Sequence, residues 1–162
     1  MPQQKPQLDE VSLKILDILQ QQADISNAEL AERVGLSVSP CWRRVTEMRE
    51  KGVIRGSVML VDPESLGLEV NVFVHVTLRH QDKQSLEEFT STVSNRPEVM
   101  ECYLMTGEAD YLLRVVVENL KKYQVFIQEC LTQIRSVASI RSSFALSQVK
   151  YTTALPTEHL LR

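Results

Sequence analysis

The stretch "SNAELAERVGLSVSPCWRRVTEMREKG", residues 26–52, holds two helical patterns separated by a glycine. Ser26 and Glu29 have the spacing of a capping box, in which a serine oxygen and a glutamate each satisfy a free backbone N–H at a helix start. Leu30, Ala31 and Val34 then point inward, and Gly35 suits the left-handed conformation that follows a helix end. Ser37 opens a further helix that runs to about Lys51 and stops at Gly52. Pro40 falls about three residues after that cap, where a backbone N–H has no intrahelical partner to lose. The proline therefore stiffens the helix start without breaking a bond. At about 100° per residue, Cys41, Val45 and Met48 form one buried stripe, with Trp42 on its flank as a core plug. Ser39, Arg43, Glu47 and Glu50 lie opposite, and Arg44 sits at an edge.

Working outward, Leu8, Val11, Ile15 and Ile18 recur at spacings of three and four, with Leu16 and Leu19 widening the stripe. They predict a helix over residues 8–22 with Asp9 as its N-cap. Three short helices, the last two joined by a three-residue turn containing glycine, predict a helix-turn-helix. The early turns of its final helix enter the major groove of DNA. Ser37, Ser39, Pro40, Arg43, Arg44 and Glu47 are therefore the candidate DNA-binding residues, within a helix-turn-helix from Asn27 to Thr46. Arg43 is best aimed at base edges, and Arg44 and Ser39 at phosphates. Cys41, on the buried stripe, is expected to be inert.

Composition narrows the remaining options. The chain has 162 residues, 43% apolar and 24% charged, an ordinary globular balance. No apolar run approaches the roughly 18 residues of a membrane span, and Met1–Gln7 lacks the apolar core of a signal peptide. Cys41, Cys102 and Cys130 form neither a CxxC metal pattern nor a disulfide framework, which points to a reducing cytoplasm. The net charge is −3, but positive charge gathers locally, where Arg43, Arg44, Arg49 and Lys51 outnumber Glu47 and Glu50. Contact with DNA must come from that one element rather than from a basic protein as a whole.

After Gly52 the period changes from 3.6 to 2. Val53–Val61 reads as a β segment closing the small domain, and residues 62–67 as a turn and hinge. Val70, Val72, Val74, Val76 and Leu78 alternate with Asn71, Phe73, His75 and Thr77 as a strand. Leu86, Phe89 and Val93 mark a helix ending before Pro97. Strands over Val99–Thr106 and Tyr111–Val117 flank a GEAD hairpin turn. A helix from about Leu120 to Ile134 and a long strand from Ile140 to Tyr151 follow. The fold class is α+β: a helix-turn-helix (winged-helix-like) domain, then a ferredoxin-like βαβ-βαβ domain. The division is 8–60 for DNA binding, 61–68 for the hinge, 69–151 for sensing and dimerisation, and 152–162 for a tail. With both helices on one face of the sheet, the other face, around Phe73, favours pairing with a second copy.

This order of domains resembles the leucine-responsive regulatory protein / AsnC (Lrp/AsnC) family of bacterial and archaeal transcription regulators. The markers are "SNAELAERVGLS", "SPCWRRV", "GVI" and "TGEADYLL", and the resemblance covers Leu8 to Leu161. The PCW variant with "SSFALSQVKYTTALP" looks like the bacterial subgroup that includes regulators of cysteine breakdown, methionine catabolism and proline use. Val38 stands where many members have a proline, while Pro40 is kept. The resemblance implies an amino-acid effector held by the second domain, with cysteine, methionine or leucine as first candidates, and assembly of dimers into an octamer.

The residues themselves leave GEAD as either a plain hairpin or a ligand turn. As a ligand turn it offers Met105, Thr106, Gly107, Glu108, Asp110 and Tyr111. Asp110 suits an ammonium group, and Gly107 lets a carboxylate approach backbone N–H groups. Ser142 and Ser143 would add hydrogen bonds if the last strand reaches the same cleft. No cofactor, metal or enzyme activity is expected, since His75, His80 and His159 form no ligand or triad pattern and no phosphate loop is present. The function expected is a sequence-specific regulator of transcription that binds double-stranded DNA, responds to an amino acid and resides in the nucleoid. The alternative is an architectural DNA-binding protein with little sequence choice.

Overall fold

The structure, a computed structural model, describes residues 8–160. The polar start Met1–Gln7 and the last two residues of the expected tail lie outside the described residues. The chain folds into two compact units. One comprises residues up to Met59 together with those from Lys150 onward, and the other is Leu60–Val149.

In the first unit, helix α1 spans Glu10–Gln21, α2 Asn27–Arg33 and α3 Val38–Glu50. Asp9 caps α1 by accepting the Ser12 N–H at 2.9 Å, and Ser26 caps α2 by accepting the Glu29 N–H at 3.2 Å. The Glu29 carboxylate turns instead to Arg33, one helical turn on, so only half of the reciprocal box forms. Gly35 takes φ 71°, the left-handed value that ends α2. Ser37 caps α3 by backbone alone. Ile15, Ile25, Leu30, Ala31, Cys41, Val45 and Met48 form the core. Each large apolar side chain buried here contributes about 1.5–3 kcal/mol.

Val53–Val61 is not a strand. Val53 and Ile54 donate back to the Met48 carbonyl at 2.8 and 3.1 Å, closing the end of α3. The next residues follow no regular structure, and Val58, Met59, Leu60 and Val61 are exposed. A strand needs a partner for its backbone groups, and this apolar run has none among the described residues. The tail instead joins the first unit. The Gln20 side-chain amide donates to the Leu155 carbonyl at 3.1 Å and accepts its N–H at 2.7 Å. Thr157 Oγ1 donates to Asp17 at 2.7 Å.

The second unit contains β1 (Val70–Leu78), α4 (Lys83–Ser94), β2 (Val99–Leu104), β3 (Tyr111–Val117), α5 (Leu120–Glu129) and β4 (Val137–Phe144). Its sheet has the order β2-β3-β1-β4 with every pairing antiparallel, the ferredoxin-like arrangement. Val72, Val74 and Val76 pack with Leu113, Val115, Phe89, Val93, Tyr123 and Phe126 into one core. The opposite face, which includes Phe73, is only partly covered.

Several element ends differ from the sequence reading; β2, for one, stops at Leu104 rather than Thr106. Helix α5 stops at Glu129 because Cys130 leaves helical geometry (φ −117°, ψ −75°), and Leu131–Gln133 continues as a tight 3-10 turn. Cys130, Leu131 and Ile134 are buried all the same. The final strand begins at Val137 and ends at Phe144, where its pairing with β1 stops at Val72. Beyond it Ala145 makes one more bond, to the Asn71 carbonyl.

Candidate nucleic-acid interface and ligand turn

Helix α3 buries Cys41, Val45 and Met48, which fixes its opposite face toward solvent. Ser37, Ser39, Arg43 and Glu47 are exposed there, with Pro40 and Thr46 half-buried. Arg43 is the freest of the candidate cations. Its side chain is 75% exposed and its only ion-pair partner among the described residues is Glu47, at a loose 3.9 Å. Glu47 also stands 4.0 Å from Lys51. Burial pushes the Cys41 thiol up, with Arg44 pulling weakly the other way.

Two residues of α3 depart from expectation. Trp42 does not plug the core: it is 46% exposed, with the Arg49 guanidinium 5.7 Å from its ring centroid. Its position 100° from the stripe leaves the indole at the edge of the core rather than inside it. Arg44 turns inward to α1. Its Nη1 donates to both Asp9 oxygens, at 2.8 and 2.6 Å, and to Ser12 Oγ at 3.1 Å. In this arrangement the guanidinium ties α3 to α1.

In the second unit the β2–β3 turn is built around Gly107, whose φ of 121° only glycine adopts without strain. A Cβ there would meet nothing within 4 Å, so the space above the turn is open. Asp110 is buried, and its carboxylate accepts the Leu78 N–H at 2.6 Å and the Gln81 side-chain amide at 2.5 Å. Its backbone N–H reaches the Val76 carbonyl at 2.9 Å. This carboxylate braces the turn against the end of β1.

Tyr111 also belongs to the core. Its ring stacks on Phe89 at 4.3 Å between centroids, and its hydroxyl meets Thr90 Oγ1 at 3.2 Å. Nor does the structure bring both serines to the turn. Ser142 pairs with Val74 and Ser143 with Phe73, whereas the turn adjoins Val76 and Leu78. As neighbours on a strand they face opposite sides; Ser142 hydrogen-bonds the Tyr123 hydroxyl on the helix side.

The groups that do reach the turn are Thr77, 3.4 Å from the Glu108 carbonyl, and Arg141, 3.6 Å from the Glu108 carboxylate. Sequence reading missed Thr77, Gln81 and Arg141. The strand alternation carried a signal for Thr77, but Arg141 depended on the β1–β4 register, which no local pattern encodes.

Comparison with known proteins fits this geometry. Residues 8–55 match a winged helix-turn-helix DNA-binding family, and residues 71–155 match the Lrp/AsnC ligand binding domain. The chain belongs to the Lrp/AsnC family. Over 151 residues it is 38% identical to the DNA-binding transcriptional activator DecR of Escherichia coli, covering 93% of this chain and 99% of that one. Over 150 residues it is 43% identical to the Bkd operon transcriptional regulator of Pseudomonas aeruginosa, covering 93% and 98%. Among solved structures it is similar to a transcriptional regulator from Neisseria meningitidis in complex with L-Met. That match has a TM-score of 0.91 and 38% identity, over 94% of this chain and 99% of that one.

As an Lrp/AsnC regulator the chain is a DNA-binding regulator of transcription, not an enzyme. Among the described residues no helix is long and apolar enough to cross a membrane. No cluster of His, Cys, Asp and Glu there could hold a metal ion.

Proposed function

We propose that this regulator reads DNA with the outer face of α3 and responds to a free amino acid bound at the Met105–Asp110 turn. The observation that carries the reading is the pairing, in one chain, of a DNA-binding helix-turn-helix with an Lrp/AsnC ligand binding domain. Arg43 reads a base edge, while Ser37 and Ser39 meet phosphates near the N-terminus of α3. Residues 8–60 carry DNA contact, 61–68 the hinge, and 69–151 sensing and dimerisation. The protein works in the cytoplasm on the nucleoid as a homodimer, with octamer formation following the family pattern. The architectural reading is not favoured by relatives that regulate particular genes, such as the Bkd operon.

At the turn, Glu108 and Arg141 present opposite charges 3.6 Å apart, both largely exposed. A bound zwitterion would exchange that weak pair for two matched ones, its ammonium on Glu108 and its carboxylate on Arg141 and the backbone near Gly107. Exposed Met105 lies alongside for an apolar side chain. Methionine leads the candidates, because a similar protein was solved with L-Met; cysteine and leucine follow.

A thermal-shift screen of the twenty amino acids tests this, since a ligand of the folded state raises its melting temperature. Regulation further requires that the hit change DNA affinity or assembly, because a ligand acts only through differential affinity for two states. No shift with any amino acid at millimolar concentration would reject the sensing role.

A further inference from the structure

Trp42 is the one tryptophan of the chain, and it stands half-exposed on the helix that reads DNA. Val38, one helical turn earlier on the same side, is equally open at 47%. The two form an apolar pair at the i, i+4 spacing that makes helix residues neighbours. Around them lie exposed Ser39 and Arg43, and Arg49 covers the indole face at 5.7 Å. A guanidinium in that place attracts the ring and restricts its rotation. The pair is an apolar surface on a helix otherwise rich in charge.

Duplex DNA offers one apolar feature in the major groove, the thymine 5-methyl group, and side chains read it by apolar contact. Val38 is the first residue of α3 and Trp42 lies in its second turn, the part of a recognition helix that meets base edges. We infer that the Val38–Trp42 pair is a thymine-methyl reader, setting a T at one position of each operator half-site beside the base read by Arg43. The inference rests on α3 being the DNA-reading helix. Arg49, which makes no ion pair among the described residues, keeps the indole in place and adds positive charge facing the phosphates.

The test uses the full chain and DNA sites selected by it from a random duplex pool. Each thymine of a selected site is replaced in turn by deoxyuridine, which removes the methyl group and leaves Watson–Crick pairing intact. Affinity is measured by fluorescence anisotropy at one salt concentration. At one position in a half-site the wild type should weaken about fourfold, the fold-change of burying one methyl group. Trp42→Ala should bind the thymine and uracil sites equally well, and Val38→Ala should show a reduced ratio. The wild-type substitution series needs no variant to fold, so it stands alone as a measurement. Indifference of the wild type to every uracil replacement would overturn the methyl reading while leaving DNA recognition intact. Full retention of the uracil penalty in Trp42→Ala would do the same. Failure of the wild type to enrich any sequence from the pool would overturn the DNA-reading role of α3 as well.

Discussion

Arg44 of α3 grips Asp9, the N-cap of α1, with one nitrogen 2.8 and 2.6 Å from the two carboxylate oxygens. The same nitrogen reaches Ser12, so the start of α1 and the second turn of α3 are joined by charge-assisted bonds. Arg44→Ala should therefore destabilise the helix-turn-helix by about 1 kcal/mol, the upper range for a partly exposed pair. It should weaken DNA binding on operator and random sequence alike, because it loosens the reading helix without removing a base contact. Urea unfolding with anisotropy on both DNAs checks this; an unchanged midpoint would place Arg44 outside the scaffold.

Asp9 should also make this domain sensitive to acid. Hydrogen bonds from Ser12, and then the Arg44 guanidinium, hold its carboxyl at about 2 against an ordinary 3.8. A depressed folded-state value contributes stability that is present above 3.8 and lost as pH falls toward 2. The carboxylate is half-exposed, so solvent screening limits the effect to about 1 kcal/mol. Asn keeps the capping role but cannot ionise. The gap between wild type and Asp9→Asn should be full at pH 5, shrink as pH falls below 3.8 and close only below about pH 2, measured by thermal unfolding. A gap independent of pH would show that ionisation of Asp9 is not what matters.

Arg43, exposed and only loosely paired with Glu47, should behave differently from Arg44. Arg43→Ala should cost about 1–3 kcal/mol on the selected site and much less on random DNA. Competition titrations at fixed salt measure the ratio, and equal losses on both DNAs would reject base reading.

Asp110 should act on stability before it acts on ligand. Its buried carboxylate holds the Leu78 N–H and the Gln81 amide, and leaving such partners unmade costs about 1–3 kcal/mol. Asp110→Ala should lower the denaturation midpoint of the second domain, whereas Glu108→Gln or Arg141→Ala should abolish the amino-acid thermal shift with little loss of stability. Loss of the shift in Asp110→Ala with unchanged stability would restore the direct ligand contact.

Phe73 is central on the partly covered sheet face and borders solvent. A charge there should be tolerated by a monomer and rejected by an interface between copies. Phe73→Glu should convert a dimer of the wild type to monomer in light scattering at micromolar concentration, with circular dichroism unchanged. A dimer that persists would put the interface elsewhere.

What could be read from sequence was whatever depends on neighbours within a helical turn or two. Asp9 and Ser26 were legible as caps, Gly35 as a left-handed stop, and Cys41, Val45 and Met48 as a stripe, because each follows from local geometry. The alternation of Val72, Val74 and Val76 gave the central strand for the same reason. Trp42 was misplaced because a residue at the edge of a stripe is buried only if some other element comes to cover it. Ser142 and Ser143 were misplaced because their position depends on how β4 slides along β1. Arg141 reaches Glu108 across the sheet, a meeting that no spacing in the chain announces. Val53–Val61 had the composition of a strand but lacked the second requirement, a partner.

The tail clasp on α1 alters how the two units are strung together. Because Leu155 and Thr157 return to Gln20 and Asp17, the ligand-binding unit is threaded as an insertion, entering near Leu60 and leaving near Val149. The chain therefore crosses between the units twice, near Leu60 and near Val149, and the second crossing leads straight into the segment clasped on α1.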